Sequence, residues 1–477
     1  MSSSAPPELC FMSARELAAL LQARQISARE VMQAHLDRIA RINPLVNAIV
    51  SKLPDETCLA LADEADACLA RSDAVGPLHG LPIAFKDNQP VKGFPWTRGS
   101  RIFAHDVPLG ESIFVSRLRA AGVIPIGKTN IPEFAMGSHT YNGLFGATRN
   151  PYNLTKSAGG SSGGAAAALT TGMLPIADGN DLGGSLRNPA NFNNLVALRP
   201  TVGLVPVAPD PFPGIGFNVN GPLARSVSDL AFLMSVMAGP DRRDSDCFTS
   251  DPSVFTKPLD RDLTGTRVAW CLDLGGLPVD PSVRHVIEQQ RHTFESLGCI
   301  IEDVCPDLTG ADEIFLTIRG WRAAGVLSPL LAEHRHLMKP EAIGEIERGL
   351  TITRDDVDRA LIRHRSFVDG FGQFQKRYPF VVCVVNQVPP FDVEIDWPKS
   401  IDGVTMNSYT DWMKSAYWIS TTLCPAISVP AGFTDDGLPV GLQIVGRYKD
   451  DVGVLQLAHA FEQATRIGER RPPIALT

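Results

Sequence analysis

Apolar residues recur at helical spacing near the start of the chain, and the two helices they predict each open on a capping box, Ser13-x-x-Glu16 and Ser27-x-x-Glu30. Between Pro82 and Gly127 the pattern changes to short continuous apolar runs. LPIAF (Leu81 to Phe85) and GVIPIG (Gly122 to Gly127) predict buried strands, with a helix over SIFVSRLRAAG between them. Further strands are expected at RVAWCLDLGG (Arg267 to Gly276), PFVVCVVNQ (Pro379 to Gln387) and PAISVPAGF (Pro425 to Phe433). A more charged, mostly helical stretch runs from roughly Asp312 to Arg377. This alternation, with no internal repeat, predicts an α/β fold. The expected layout is one large domain over residues 1–477, with a mostly helical insertion near 310–380. A Pro/Gly-rich loop, Pro206 to Pro222, is placed to border a pocket.

Composition narrows the function classes. The 477 residues are 44% hydrophobic and 20% charged, an ordinary soluble balance. A net charge of −8 without a long basic run argues against nucleic acid and anionic membranes as partners. No uncharged apolar run is long enough to span a bilayer. The opening MSSSAPPELCFMSARELAALL lacks the basic start and apolar core of a secretory signal. Nine cysteines, an odd number, are scattered from Cys10 to Cys424 without a C-x-x-C, as expected for reduced thiols in a cytoplasmic protein.

Two motif matches fail on their context. Gly122 to Thr129 fits G-x-x-x-x-G-K-[ST], a loop whose successive N–H groups must curl around phosphate. Here Val123, Ile124, Pro125 and Ile126 favour an extended strand, Pro125 has no N–H, and Pro132 obstructs the helix that should come next. Gly160-Ser161-Ser162-Gly163-Gly164 fits the nucleophile elbow G-x-S-x-G, yet the preceding NPYNLTKSAG is polar and turn-forming where a strand is required. The downstream His285, His364 and His459 lie on predicted helices without distinctive surroundings, so a Ser–His–acid hydrolase is not the reading. Metal catalysis would need a cluster of His, Asp and Glu ligands, and the sequence offers no convincing one.

SAGGSSGGAAAALTTGMLPIADGNDLGGS (Ser157 to Ser185) is either a flexible linker or a catalytic apparatus of backbone N–H groups and hydroxyls. A linker gives no reason for the residues after its first glycines. Ala165 to Thr171 is good helix-forming material, Gly172 supplies a stop, and LPIADG reads as a short strand before a second glycine-rich turn. Small residues let a backbone approach a substrate, and consecutive Gly N–H groups can point at one oxygen. Two hydroxyl-bearing turns and the lysine of IAFKDN would supply a nucleophile, a relay and a base.

These segments resemble the amidase signature enzymes, which use a Ser–cis-Ser–Lys triad. The resemblance spans nearly the whole chain through GPLHGLPIAFKDN, GKTNIPEFAMGS, GATRNPYN, AGGSSGGAAAA, DLGGSLRNPA, GPLARSVSDLAFLMSVMAG and PAISVPAGFTDDGLPVGLQIVGR. It looks closest to stand-alone aryl-amidase and urethanase-like members. The resemblance implies a single large domain with a mixed central β-sheet wrapped by helices. It also implies Ser185 as nucleophile, Ser161 as the serine after a cis peptide bond, and Lys86 as base. One position departs from the pattern: the family commonly has Thr where this chain has Asn180, beside the oxyanion turn, which bears on the substrates that fit.

The chemistry of the residues agrees with those roles. A serine hydroxyl is a poor nucleophile until a base takes its proton, and lysine is a base only when neutral. Burial at the end of LPIAF would lower the Lys86 pKa, with Asp87 and nearby polar groups opposing the shift. Ser161 would carry the proton between Ser185 and Lys86. The N–H groups of Leu182, Gly183, Gly184 and Ser185 are the expected oxyanion donors. Asp181 and Arg187 are expected to pair and stiffen the turn, and Ser162 is either a site hydrogen-bonder or an ordinary turn serine. Candidate pocket residues are Met136, Tyr141, Asn180, Phe212, Ile215 and Phe217, with Phe134 read as core.

The expected activity is hydrolysis of amide C–N bonds, anilides and small carbamates among them, with ester or urethane cleavage as a side activity. No cofactor or metal is expected. The chain would act on a small molecule as a cytoplasmic monomer or homodimer. The alternative is an amidotransferase-type amidase subunit, or a catalytically weak scaffold working in a complex.

Overall fold

Both N-terminal capping boxes close. The Ser13 and Ser27 side chains accept from the Glu16 and Glu30 N–H groups and start helices Ala14–Gln22 and Ala28–Val46. The computed structural model describes residues 9–476, so the reading of residues 1–8 within the opening segment lies outside the described residues.

Two sheets organise the chain. Their strands, numbered in chain order, are β1 (Ile49–Val50), β2 (Pro82–Lys86), β3 (Ile124–Thr129), β4 (Ala177–Asp181), β5 (Val196–Arg199), β6 (Val219–Ala224), β7 (Arg267–Trp270), β8 (Ile300–Asp303), β9 (Phe380–Val384), β10 (Ala426–Phe433) and β11 (Pro439–Val445). A three-stranded sheet runs β1-β3-β2, and an eight-stranded sheet runs β8-β7-β9-β11-β10-β5-β6-β4. The helix Ile113–Ala120 links parallel β2 and β3, as the alternating pattern predicts. In the large sheet β7 runs parallel to β8 and β9 while the remaining pairs are antiparallel, so the sheet is mixed.

Helices cover both faces of the large sheet. Val381 and Cys383 join an apolar cluster with Phe315, Phe367 and Phe371, from helices Ala311–His334 and Arg354–Gln375. Val382 and Val384, pointing the other way along β9, join Leu455 and Ala458 of helix Asp451–Thr465. A strand buried on both faces has no polar side, which is why it reads as a continuous apolar run. The charged stretch between Asp312 and Arg377 forms helices Ala311–His334, Pro340–Leu350 and Arg354–Gln375.

Two expectations are corrected. The loop predicted over Pro206 to Pro222 ends early, because Val219–Ala224 is a strand pairing with β4, Val219 opposite Asp181 and Asn220 opposite Asn180. Gly221 and Pro222 interrupt its apolar pattern and hide it. The cysteines are not all reduced: Cys271 and Cys305 form a disulfide with Cα atoms 4.9 Å apart. They directly follow β7 and lie just beyond its parallel neighbour β8, so register brings together residues that no sequence motif joins. The other seven cysteines are free. Among the described residues no helix is long and apolar enough to cross a membrane.

Candidate active site

The last residue of β2 is Lys86, and the strand delivers it against β4 at the junction of the two sheets. Its backbone N–H donates to Asp178 Oδ1 at 3.0 Å. Its Nζ donates to Ser161 Oγ at 2.8 Å and to Asn180 Oδ1 at 2.5 Å. Burial pushes the amine down to about 7, against the opposing pull of the Asp178 and Asp181 carboxylates. These two, and not Asp87, oppose the shift. The Asp87 carboxylate accepts from Thr97 and from the Gly99 N–H, and faces Lys128.

The first glycine-rich turn carries a cis peptide bond between Gly160 and Ser161 and leads into helix Gly163–Thr170, close to the predicted Ala165 to Thr171. Ser161 is buried beside Lys86. Ser162 is equally buried, but its hydroxyl has no hydrogen-bond partner among the described residues. Its backbone does the joining, since the Ser162 N–H donates to the Ser185 carbonyl at 3.2 Å and ties the two turns together. Ser185 is partly exposed. The Ser161 and Ser185 hydroxyls are not directly hydrogen-bonded in this structure.

Asp181 ends β4 and fixes the second turn. Its carboxylate accepts from Arg187 Nε and Nη2, each at 2.9 Å, and from the Leu186 N–H at 3.2 Å. Arg199 adds a second guanidinium to Asp181 Oδ1 at 3.4 Å. Burial alone would raise this carboxyl, but Arg187 and Arg199 hold it well below the usual range. The expected Asp181–Arg187 pairing is therefore present, fully buried. One oxyanion expectation is corrected: the Gly184 N–H is taken by Asp181 Oδ1 at 2.7 Å. The N–H groups of Leu182, Gly183 and Ser185 have no acceptor among the described residues. Gly184 sits at φ 116°, and a Cβ there would lie 2.6 Å from Ala416 Cβ, so the turn requires glycine.

The six candidate pocket residues divide. Asn180 touches Lys86 directly. Phe217 stacks on Phe315 at 5.7 Å, Phe315 stacks on Tyr417 at 4.3 Å, and Ile215 packs on the same cluster. A Cβ on Gly183 would meet Phe315 Cζ at 2.7 Å, which places this aromatic wall against the turn. Tyr141 lines a cavity with Ser138 and His139, which pack against Gly160, while Met136 and Phe212 pack on other side chains. Met136 packs with Ala323, Leu331 and Met338, with the core-assigned Phe134 against the same cluster. The Tyr141 hydroxyl donates to Glu341 and Asp396, and Phe212 lies on Trp321 at 4.7 Å.

Sequence reasoning missed Asp178, which accepts the Lys86 N–H, the buried Lys128 on the neighbouring strand, and the buried aromatic residues Phe315 and Tyr417 behind the turn. A signal for Lys128 exists: LPIAFK and IPIGKT each carry a lysine at the polar end of an apolar strand. None exists for Phe315 or Tyr417, which are distant in sequence from the turn. Among the described residues no group of three or more His, Cys, Asp or Glu side chains is placed to hold a metal ion.

Comparison with known proteins bears on this arrangement. The model of the family described as Amidase matches residues 30–455. The chain is 34% identical to the acylamidase of Rhodococcus erythropolis, over 98% of each chain. It is also 34% identical to the A subunit of the glutamyl-tRNA(Gln) amidotransferase of Synechococcus sp. (strain CC9605), over 96% of this chain and 97% of that one. Among solved structures, a bacterial aryl acylamidase of the amidase signature family superposes with a TM-score of 0.89. That match has 28% identity and covers 97% of this chain and 99% of the other.

Proposed function

We propose that this chain, which belongs to the amidase signature family and is an amide-hydrolysing enzyme, cleaves its substrate through an acyl-enzyme on Ser185. The observation that carries the reading is the 2.8 Å hydrogen bond between Lys86 Nζ and Ser161 Oγ in a fully buried setting. Neutral Lys86 takes the Ser161 proton while Ser161 takes that of Ser185, and Ser185 Oγ attacks the carbonyl carbon. The N–H groups of Leu182, Gly183 and Ser185 donate to the resulting oxyanion. As the tetrahedral adduct collapses, the C–N bond breaks and the proton returns through Ser161 to the departing amine. Water then attacks the acyl ester by the same relay and releases the acid.

Anilides and small aryl carbamates are the proposed class: the buried aromatic cluster of Phe217, Phe315 and Tyr417 backs the turn, and the partly exposed Leu182 and Ile215 packed on it offer an apolar contact to an aryl group. The names of the acylamidase and aryl acylamidase relatives agree with that class. A cytoplasmic location and a monomeric or homodimeric state complete the proposal. The seven free thiols support that location, and the Cys271–Cys305 bridge runs against it. The test is a screen of the purified chain on aryl amides, aliphatic amides, esters and carbamates, with Ser185→Ala as the blank. Aryl amides turned over by the wild type and not by the blank are the expected result. Equal turnover by the blank rejects the acyl-enzyme.

A second reading, as the amidase component of an amidotransferase, is favoured by the 34% identity to the Synechococcus amidotransferase chain. It predicts glutamine hydrolysis that rises when partner chains co-purify, and no turnover of aryl amides.

A further inference from the structure

A neutral amine has two N–H bonds and one lone pair, and only the lone pair can take a proton. For Lys86 to act as base, that lone pair has to face Ser161 Oγ, 2.8 Å from Nζ. The amine turns easily at the end of its stem, so burial alone does not fix which position faces the serine. The two N–H bonds need acceptors of their own, away from Ser161.

One residue supplies both. Asn180 Oδ1 accepts from Lys86 Nζ at 2.5 Å, and the Asn180 main-chain carbonyl accepts at 3.4 Å. Together with Ser161 these are the hydrogen bonds of Nζ among the described residues. Strand pairing fixes the main-chain carbonyl, because Asn180 in β4 stands opposite Asn220 in β6. The Asn220 side chain is anchored in turn, donating to the Pro206 carbonyl and accepting from Gln89. Both acceptors at Nζ are uncharged, and a carboxylate in their place would favour the protonated amine. The nearby carboxylates bind elsewhere. Asp178 Oδ1 accepts the Lys86 main-chain N–H, Asp181 pairs with Arg187 and Arg199, and Asp87 accepts from Thr97 and the Gly99 N–H. Lys128 donates to the Gln89 carbonyl.

We propose that Asn180 is a positioning residue whose side-chain and main-chain carbonyls hold the two N–H bonds of neutral Lys86 and leave its lone pair facing Ser161 Oγ. The inference rests on the reading of Lys86 as base. Without the side-chain carbonyl only the acceptor at 3.4 Å remains. The amine can then turn an N–H onto Ser161 Oγ, and in that orientation it cannot take the serine proton.

The test is a double-variant cycle on a matched aryl amide and ester, with wild type, Asn180→Leu, Lys86→Ala and the double variant, and folding checked by thermal melts. Asn180→Leu keeps the side-chain volume and removes the acceptor. At the alkaline plateau, where Lys86 is neutral, amide kcat should fall about 10–100-fold with KM changed by less than about twofold. On the ester, Asn180→Leu should lower kcat in the wild-type background but change it by less than about twofold in Lys86→Ala, where no amine is left to orient. Asn180→Asp keeps the acceptor and adds a charge, so its acidic limb should move up by about one unit or more while plateau kcat is retained. Equal losses in the two backgrounds, or a raised KM with kcat unchanged, overturn the proposal and make Asn180 a substrate contact. Asn180→Ala gives the same reading if Asn180→Leu does not fold. An inactive Lys86→Ala beside a fully active Asn180→Leu rejects only the positioning role, whereas a fully active Lys86→Ala rejects Lys86 as base and the inference with it.

Discussion

Lys86 and Asp181 are each the last residue of a strand, each fully buried, and within reach of one another's charge, yet they are treated in opposite ways. Asp181 is surrounded by donors: two guanidiniums and two backbone N–H groups leave it ionised at any pH the protein meets. Arg187 is held in turn by Asp181, Gln443, Ser420 and the Ala416 carbonyl. Lys86 Nζ meets only uncharged acceptors, the Ser161 hydroxyl and the side-chain and backbone carbonyls of Asn180, so burial wins and the proton is loosely held. A buried charge that is matched on every side serves as scaffold. One that is left unmatched can exchange its proton at neutral pH.

The largest test of this contrast is at Lys86. Lys86→Ala is expected to lower amide kcat/KM by about a thousandfold, and Lys86→Arg to recover little, because guanidinium stays protonated. The loss should be smaller for a matched ester, whose alkoxide leaving group needs less protonation. Steady-state kinetics on the amide and ester pair measures both, and wild-type amide turnover in Lys86→Arg would make Lys86 a structural cation.

Next comes stability. Arg187→Met leaves a buried carboxylate facing fewer partners and should destabilise the fold by about 3–5 kcal/mol. Lys86→Met should instead raise the melting temperature at pH 6. The folded state disfavours the proton that an unfolded lysine holds at that pH, and removing the amine removes that penalty. If both variants lose stability alike, the distinction between scaffold and working charge fails.

The pH profiles of activity and stability should separate in the same way. Activity needs Lys86 neutral, so it should rise through about pH 7 and then plateau. Asp181 has a depressed pKa, so its contribution to stability is complete above the ordinary carboxylate range and is lost only as the pH falls through its lower folded value. Between about pH 5 and 8 the Asp181 contribution should stay flat while activity climbs. The smallest expected effect is none: overnight dialysis against a strong chelator should leave activity unchanged. A loss restored by zinc or manganese would assign the chemistry to a metal.

Much of the site is legible in the chain because its parts are local. LPIAFK, AGGSSGG and DLGGS each pack strand, turn and reactive group into a few residues, and the two capping boxes fix helix starts through contacts three residues apart. The Asp181–Arg187 pair is local too, six residues apart across one turn. What stayed hidden depends on residues that are distant in sequence. The aromatic wall joins Phe217, Phe315 and Tyr417, and the 271–305 disulfide comes from the register of two parallel strands.

The sequence by itself determined which groups are present and which elements carry them: a lysine ending an apolar strand, two serine turns, and glycines where a side chain would clash. Only the tertiary structure decided what those groups can do. It took the Gly184 N–H for Asp181, set Asp178 and Asp181 rather than Asp87 against the Lys86 shift, and placed Lys128 one register step from Lys86. The reason is physical: hydrogen-bond supply and burial are sums over all neighbours in space, and chain neighbours are only a few of them.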